Sequence, residues 1–409
     1  MAIIVQKFGG TSVGTPERIM NVAKRVLEER ANGNDVVVVV SAMGKTTDQL
    51  VALAKGITSS PSKREMDMLL STGEQVTISL LSMALKALGQ EAVSFTGWQA
   101  GITTEPVHGN ARIQSIEPSV VAKTLESGKV AVVAGFQGVT DSGDITTLGR
   151  GGSDTTAVAL AAALKAARCD IYTDVTGVFT TDPRYVKNAR KLLSISYDEM
   201  LELANLGAGV LHPRAVEFAK NYGIPLVVRS SMERENGTMI EEEVSMEENL
   251  IVRGVAFEDQ ITRVSVIGLS ESLKGLPSIF TALAENELNV DIIIQSVTGE
   301  GTANLSFSIK TDDLERTIEV LEANRKTLGY DRIETETGLS KVSIVGSGMV
   351  SNPGVAAQMF SVLADNGIQV KMVSTSEIKV SVVIEEKLMV TAVETLHDAF
   401  SLAGTSVRS

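Results

Sequence analysis

The sequence predicts an α/β half followed by two small α+β modules, and three observations support this. Residues 1–230 alternate short apolar runs with amphipathic segments, which is typical of a doubly wound, largely parallel sheet with helices on both faces. Residues 231–249 are polar and rich in acid, which is typical of a solvated connector or, as the alternative, a charged hairpin. Beyond residue 250 the chain repeats itself at a spacing of 80 residues.

Six runs in the first half are predicted to be strands, because most of their residues are apolar or β-branched. They are segments 3–8, 36–41, 92–96, 130–136, 170–175 and 225–230. Thr15 followed by Pro16 predicts the start of a first helix. Further helices are predicted at 65–88 and at the alanine-rich segment 154–168.

The repeat consists of two pairs of similar segments. VSVIGL (264–269) resembles VSIVGS (342–347), and IFTALAENELNVDII (279–293) resembles MFSVLADNGIQVKMV (359–373). Each copy predicts the order strand, helix, strand, strand, helix. A repeat of this length indicates a pair of small α+β modules, and a solenoid unit would be shorter.

Composition excludes several function classes. A net charge of −13 disfavours binding to nucleic acid or to an anionic membrane, and no run of about 18 apolar residues predicts a membrane span. Cys169 is the only cysteine, which excludes an internal disulfide and a multi-cysteine metal site. The N-terminus is predicted to be a first strand and not a signal peptide. Together with the single cysteine, this leads us to expect a reducing cytoplasm. His108, His212 and His397 lie far apart and are expected to be structural.

KFGGTSVG (7–14) is the first candidate for binding phosphate. Lys7 closes a predicted strand, and Gly9 and Gly10 let backbone N–H groups approach an anion just before a helix begins. The alternative is a tight turn with a surface lysine.

VVVVVSAMGKTTDQL (36–50) resembles the end of a P-loop, but Val39 stands where that motif requires its first glycine. The P-loop interpretation therefore fails. Ser41 and Thr47 remain candidates for contacting a substrate, since ligands bind at the carboxyl ends of such strands. A polar surface turn is the alternative.

Two further motifs carry isolated charges. Glu74, in STGEQV, is a lone acid in an apolar helical region, where it faces either solvent or a substrate ammonium group. In GRGGSDTTA, Gly151 belongs to a sharp loop, and Ser153 or Asp154 is expected to cap the next helix. Arg150 precedes that loop, where its guanidinium group suits a planar carboxylate.

YTDVTGVFTTDPR (172–184) ends a strand and then turns. Its candidates for holding the base and ribose of a nucleotide are Thr173, Asp174, Asp182 and Arg184. An ordinary loop is the alternative.

These motifs together resemble those of the aspartate kinases (aspartokinases), in the amino acid kinase family. KFGGTS, SAMGKTTD, STGE, FTGWQAG, GRGGSDTTA, YTDVTGVFTTDPR and LHPRA occur in that order, and two ACT-type modules follow. The resemblance covers nearly the whole chain, with small departures at Thr176 and Phe179, where the family often has Asp and Tyr. No homoserine dehydrogenase half follows, so the chain resembles the monofunctional enzymes.

The resemblance implies the amino acid kinase fold over 1–230 and an acidic linker over 231–249. It also implies a first ferredoxin-like ACT module over 260–339 and a second built from 250–259 and 340–409. The implied reaction transfers the γ-phosphoryl group of ATP to the β-carboxylate of L-aspartate, as the first step of lysine, threonine and methionine biosynthesis. That carboxylate has a pKa of about 4 and needs no histidine base. Two alternatives remain, namely a kinase for another acidic amino acid and a non-catalytic ACT sensor.

The resemblance also assigns roles to residues. Lys7 and Asp154 would be catalytic, with Gly9 and Gly10 beside the phosphates and Mg²⁺ carried by ATP and not by a metal site of the protein. The residues expected to contact aspartate or its phosphoryl group are Ser41, Thr47, Glu74, Arg150, Gly151 and Ser153. Those expected to contact the nucleotide are Lys7, Gly9, Gly10, Thr173, Asp174, Asp182 and Arg184.

ACT modules imply regulation by amino acids, here lysine, threonine or both, and a dimer or higher oligomer. The candidate effector contacts are Asp291, Gln295 and Thr298 in the first copy and Val370, Lys371 and Glu377 in the second. Met246 is a candidate internal start for a separately made regulatory subunit.

Overall fold

The computed structural model describes residues 1–207, 209–242, 250–270, 275–297 and 302–403, and these form two compact units. The first unit contains Met1–Val178, Lys191–Asn205 and residues 209–242. The second contains Phe179–Arg190, residues 206–207 and the described residues from 250 onward. The segment 179–190 therefore belongs to the same unit as the repeat.

The first unit carries twelve described strands and eight described helices. The strands are β1 (Ile3–Phe8), β2 (Asp35–Val40), β3 (Ala92–Phe95), β4 (Ile102–Thr104), β5 (Ile113–Ile116), β6 (Val130–Ala134), β7 (Gln137–Val139), β8 (Ile145–Thr147), β9 (Arg168–Thr173), β10 (Ser194–Ser196), β11 (Leu226–Ser230) and β12 (Thr238–Glu241). The helices are α1 (Pro16–Ala31), α2 (Thr46–Ile57), α3 (Lys63–Leu70), α4 (Thr72–Ala87), α5 (Ser119–Glu126), α6 (Gly152–Ala163), α7 (Tyr197–Asn205) and α8 (Pro213–Tyr222).

The main sheet of this unit has the strand order β10-β12-β11-β9-β1-β2-β6-β3. All of its pairs are parallel except β11 with β12, which confirms the predicted fold class. In the register of β1, Lys7 lies between Val39 on β2 and Ile171 on β9. The loops that carry the candidate residues therefore leave the same edge of the sheet. A smaller sheet has the order β5-β4-β7-β8, and its strands fall between β3 and β9 in sequence.

Local sequence explains where α1 begins, but it did not predict the divided helix at 63–87. The Thr15 side chain accepts a hydrogen bond from the backbone N–H of Arg18 and caps α1, as predicted. The single helix predicted at 65–88 is two helices, α3 and α4, which meet at Ser71. The break puts Glu74 in the first turn of α4.

The polar segment from 231 onward also differs from a simple linker. Part of it forms β12, which pairs with β10 and β11 in the main sheet. Residues 243–249 lie outside the described part of the chain. Sequence reasoning missed the strand at 238–241, because it is short and charged residues flank it.

The core on one face of the main sheet is formed by valines of the central strands together with α1 and α4. Residues 63–87, which span α3 and α4, are long and apolar enough to cross a membrane by length and composition, but half of that window is buried inside the protein. Ile78, Leu81 and Leu85 belong to the core. This stretch therefore has the character of a core helix.

The second unit has six described strands and five described helices. They are β13 (Gly254–Ser270), α9 (Gly275–Glu285), β14 (Ile293–Val297), β15 (Thr302–Lys310), α10 (Leu314–Ala323), α11 (Arg325–Leu328), β16 (Arg332–Val345), α12 (Val355–Asp365), β17 (Met372–Thr375), β18 (Lys379–Glu385) and α13 (Met389–Ala399).

These six strands form one sheet of order β14-β15-β13-β16-β18-β17. The long strands β13 and β16 run through both copies of the repeat. Gly254–Glu258 of β13 pairs with the half of β16 that opens the second copy, while residues 263–267 pair with the half that closes the first. The second copy thus takes a strand from the chain that precedes the first.

The segment 179–190 is attached to the second copy within this unit. The Val255 N–H donates to the Thr180 carbonyl at 2.7 Å, and Thr180 Oγ1 lies 2.9 Å from Nε2 of the buried His397 on α13. Val186 packs in the same apolar core as α12 and α13. Asp182 and Arg184 are carried on this attached segment.

Candidate active site

Backbone hydrogen bonds join the loop that follows β1 to the end of β9 and to the loop that follows β2. The Gly9 N–H donates to the Tyr172 carbonyl, and the Gly44 N–H donates to the Gly10 carbonyl at 3.0 Å. A Cβ on Gly10 would lie 2.9 Å from the Ala42 carbonyl oxygen, so a larger residue would push the two loops apart. A Cβ on Gly9 would lie 3.5 Å from Lys7 Nζ, which places the Gly9 backbone beside that ammonium group.

Lys7 and Asp154 form an ion pair at this edge. Lys7 Nζ lies 2.6 Å from Asp154 Oδ1, and the two side chains are only 12% and 13% exposed. Lys7 lies near the carboxyl end of β1, and Asp154 lies in the first turn of α6. The ion pair therefore joins the end of this strand to the start of this helix. A lysine held in this way provides a fixed positive charge next to a helix N-terminus, where backbone N–H groups also favour an anion.

The start of α6 differs from the predicted capping. Its N-cap is Gly151 in the left-handed region (φ +69°), and no side chain caps it. Ser153 and Asp154 therefore lie inside the first turn, and neither side chain is used as a cap. The Gly152 N–H donates to the Gly149 carbonyl at 3.0 Å, whereas the N–H groups of Ser153 and Asp154 have no partner among the described residues and could bind an anion.

Glycines also bring neighbouring elements against the start of α6. A Cβ on Gly135 would lie 2.7 Å from the Ser153 Cβ, and one on Gly151 would lie 2.1 Å from the His212 ring. His212 caps α8 by accepting from the Arg214 N–H. Burial, followed by the charge of Arg214, lowers the pKa of His212. The imidazole of His212 thus packs against the loop that leads to Asp154.

Glu74 is a buried carboxyl group with one free oxygen. It is 3% exposed, and its Oε1 accepts a hydrogen bond from the Ala42 N–H at 3.1 Å. Its Oε2 is buried and has no hydrogen-bond partner among the described residues. Burial raises the pKa of Glu74 to about 7. A buried carboxylate in this state favours a cationic ligand, because an ammonium group would satisfy the free oxygen.

The other candidates for aspartate contact are less enclosed. Ser41 follows β2 and Thr47 lies in the first turn of α2, and both are half-buried. Arg150 is exposed, and its guanidinium group has no hydrogen bond or ion pair within the described part of the chain. The site therefore has fixed buried charges and one guanidinium that is available to a ligand.

The four nucleotide candidates are divided between the two units. In the first unit, Thr173 Oγ1 donates to Asp174 Oδ1 at 3.1 Å. In the second unit, Arg184 Nη2 lies 2.6 Å from Asp182 Oδ2, and this hydrogen bond lowers the pKa of Asp182. Their role in binding a nucleotide stays a prediction.

Two of the candidate effector residues, Asp291 and Lys371, lie in equivalent places of the two copies. Asp291, just before β14, pairs with the buried Lys341 of β16, and Lys371, just before β17, pairs with Glu336 of β16 at 3.1 Å. The two ion pairs thus have opposite polarity. Gln295 and Glu377 are exposed, Val370 is half-buried, and Thr298 and Met246 lie outside the described residues.

Sequence reasoning missed residues that hold this site together. Ser231 Oγ donates to the Thr173 carbonyl at 3.1 Å and accepts from Ser12 Oγ at 2.8 Å. Asp67 was missed as well, although a single aspartate in the apolar run EMDMLLS was a usable signal. No group of three or more His, Cys, Asp or Glu side chains that could hold a metal ion occurs in the described ranges.

Comparison with known proteins gives a consistent result over the whole length. Residues 2–230 match the amino acid kinase family and residues 342–400 match the ACT domain. An aspartokinase of Bacillus sp. (strain MGA3) is 75% identical over 409 residues, which is all of both chains. The crystal structure of E. coli aspartokinase III with aspartate and ADP is 27% identical, with a TM-score of 0.83, and the match covers 97% of this chain and 99% of that one. The structure of the same enzyme with lysine and aspartate, called the T-state, has a TM-score of 0.76 at the same coverage.

Proposed function

Because this chain belongs to the amino acid kinase family, and within it to the aspartokinases, we propose that it transfers the γ-phosphoryl group of ATP to the β-carboxylate of L-aspartate. The predicted family and aspartate kinase activity are confirmed by this membership. The products would be 4-phospho-L-aspartate and ADP. A panel of acidic amino acids separates this reaction from that of a kinase for a different acid.

The observation that carries the proposal is the buried Lys7–Asp154 pair at the start of α6. The attacking carboxylate is already ionised at neutral pH, so the protein has to bring two anions together and stabilise charge on the phosphoryl group. Lys7 does this in a fixed position, with the Gly9 and Gly10 backbone and the α6 N-terminus beside it. Asp154 holds the ammonium group in place.

Aspartate would be bound by both of its α-substituents. Glu74 accepts the ammonium group on its free oxygen, and Arg150 binds the α-carboxylate. Those contacts leave the β-carboxylate to face the phosphoryl donor. Ser41, Thr47, Gly151 and Ser153 would supply further hydrogen bonds to aspartate or to the phosphoryl group.

The surroundings of Lys7 fit a nucleotide, since a cation, glycine backbone and free helix N–H groups are what phosphates bind. Thr173 and Asp174 are our candidates for base and ribose contacts in the first unit. Mg²⁺ fits as an ion that arrives on the phosphates, because it keeps several waters and needs few protein ligands. It would neutralise charge on ATP.

Replacing Lys7 tests the proposal. We expect Lys7→Ala to lower kcat by about 10²- to 10⁴-fold, because the charge next to the phosphoryl group is lost. Lys55→Ala, at an exposed lysine of α2, is the matched control and should keep normal turnover. Circular dichroism should show the same fold for both variants. Near-normal turnover of Lys7→Ala would overturn the assigned role.

Feedback by lysine, threonine or both is proposed for the second unit. The E. coli relative was crystallised with lysine, and both copies here present a charged residue at the same position, Asp291 and Lys371. Each effector would act by favouring one of two states of the enzyme. Rates measured with saturating lysine and threonine, alone and together, test this, and unchanged rates would refute it.

The remaining proposals concern assembly and setting. We propose an oligomer formed through the ACT modules, a cytoplasmic enzyme, and a role at the start of lysine, threonine and methionine biosynthesis. A separate regulatory subunit would begin near Met246. Expression of the intact gene should then give a second band of the size of residues 246–409, and Met246→Leu should remove it. A single band would count against this subunit.

A further inference from the structure

Asp67 is the most fully bonded buried carboxylate near the site, and nothing in the reaction uses it. It lies on α3 and is completely buried. Three groups reach it: Thr147 Oγ1 at 2.6 Å, the Gly109 N–H at 3.0 Å and His108 Nδ1 at 2.9 Å. Asp67 therefore ties the end of β8 to the loop that begins at His108.

A second set of contacts holds the residues that follow β8. Arg214, on α8, donates from Nη1 to the Leu148 carbonyl at 2.8 Å and from Nη2 to Asn110 Oδ1 at 2.9 Å. The Ala111 N–H donates to the Thr147 carbonyl at 2.9 Å. The backbone of residues 147–148 is thus bonded to the 108–111 loop and to α8.

Gly149, which follows this bonded backbone, also packs closely against the 108–111 loop. Gly149 has φ +75°, and a Cβ there would lie 2.7 Å from Asn110 Oδ1. Arg150 comes next, and α6 with Ser153 and Asp154 follows directly. Because the Arg150 side chain has no bond of its own among the described residues, its place is set by the backbone on either side.

We propose that Asp67, Asn110 and Arg214 are positioning residues that hold the 147–149 segment so that Arg150 meets the α-carboxylate of aspartate. The proposal rests on the role assigned to Arg150 above. A flexible arginine loses less binding energy to ordering when the backbone that carries it is already fixed. The simpler alternative is that Asp67 only stabilises the fold, and the two differ in how Asp67 and Arg150 couple.

A double-mutant cycle on the full-length enzyme separates them. The variants are Asp67→Asn, Arg150→Ala and the double variant, and the measurements are KM for aspartate, KM for ATP and kcat. We expect Asp67→Asn alone to raise KM for aspartate about 10- to 100-fold and to leave KM for ATP within about twofold. In the Arg150→Ala background the same change should have little further effect on KM for aspartate.

A second variant covers the risk that Asp67→Asn does not fold. Asn110 is exposed, so Asn110→Ala should fold and should show the same coupling to Arg150→Ala with a smaller rise in KM. Glu65→Gln, at an exposed carboxylate of α3, is the control and should change none of the three constants.

The outcomes are distinct. Additive effects of Asp67→Asn or Asn110→Ala with Arg150→Ala would overturn the positioning role and leave the assignment of Arg150 intact. A normal KM for aspartate in Arg150→Ala itself would overturn that assignment, and the positioning role that rests on it would fall as well. Equal rises in KM for aspartate and ATP would identify Asp67 as a residue of general stability only.

Discussion

Two buried carboxylates lie on either side of the break between α3 and α4, and their surroundings are opposite. Asp67 is surrounded by three donor groups. Glu74, in the first turn of α4, accepts one N–H on one oxygen, and its other oxygen has no hydrogen-bond partner among the described residues. Both are almost inaccessible to solvent.

The difference shows how the same chemistry serves two purposes. A buried carboxylate with enough donors stabilises the fold, whereas one that lacks them costs stability until a ligand supplies the missing partner. Glu74 has this second character, as the rise of its pKa to about 7 indicates. Under the proposals above, Asp67 would position the site, and Glu74 would receive the ammonium group of the substrate.

The largest expected effect is on aspartate recognition. Glu74→Gln keeps the acceptor for the Ala42 N–H but removes the charge that faces the ammonium group. We expect kcat/KM for aspartate to fall by about 10²-fold, with KM for ATP unchanged. Steady-state kinetics with each substrate varied in turn measures this. A loss shared equally between the two substrates would mean that Glu74 does not contact aspartate.

The next effect is the pH dependence of the same constant. Only ionised Glu74 holds an ammonium group, so kcat/KM for aspartate should fall as the pH drops below about 7, approaching tenfold per pH unit. Bound aspartate stabilises the ionised form, so the fall in kcat should occur at a lower pH. This inflection should be missing in Glu74→Gln. If the variant keeps it, another group is responsible.

Replacing each of the two carboxylates by its amide should shift Tm in opposite directions at pH 8. The pKa of Glu74 is higher in the folded state than its ordinary value of 4.5, so folded protein binds the extra proton between pH 4.5 and about 7, and stability falls as the pH rises through that range. Glu74→Gln should therefore raise Tm at pH 8 by a few degrees and change it little at pH 5. Asp67→Asn should lower Tm at both values.

Differential scanning calorimetry at the two pH values tests both parts, with the exposed Glu65→Gln as the reference. A fall in Tm for Glu74→Gln at pH 8 would show that the ionised carboxylate is already stabilised without substrate. That result would remove the contrast with Asp67.

Local sequence was enough to predict the elements that local chemistry determines. The Thr15 cap, the valine-rich central strands and the glycines beside Lys7 follow from residue types and spacing. The break at Ser71 was not predicted, and the close approach of Gly73 to Ala42 beside it involves a loop that is distant in sequence. The roles of Asp67 and Arg214 were missed for the same reason, since their partners are 41 to 80 residues or 66 to 104 residues away in sequence.

A half-buried carboxylate with an exposed partner extends the comparison and should show the smallest effect. The Asp182 side chain is 22% exposed and pairs with Arg184, whose side chain is 83% exposed, and ion pairs with an exposed partner contribute little to stability. Asp182→Asn should leave Tm unchanged. If the segment contacts the nucleotide as predicted, KM for ATP should rise about twofold to fivefold, while KM for aspartate stays the same. A normal KM for ATP in both Asp182→Asn and Arg184→Ala would remove these residues from the nucleotide site, because a ligand contact made by either side chain has to appear in that constant.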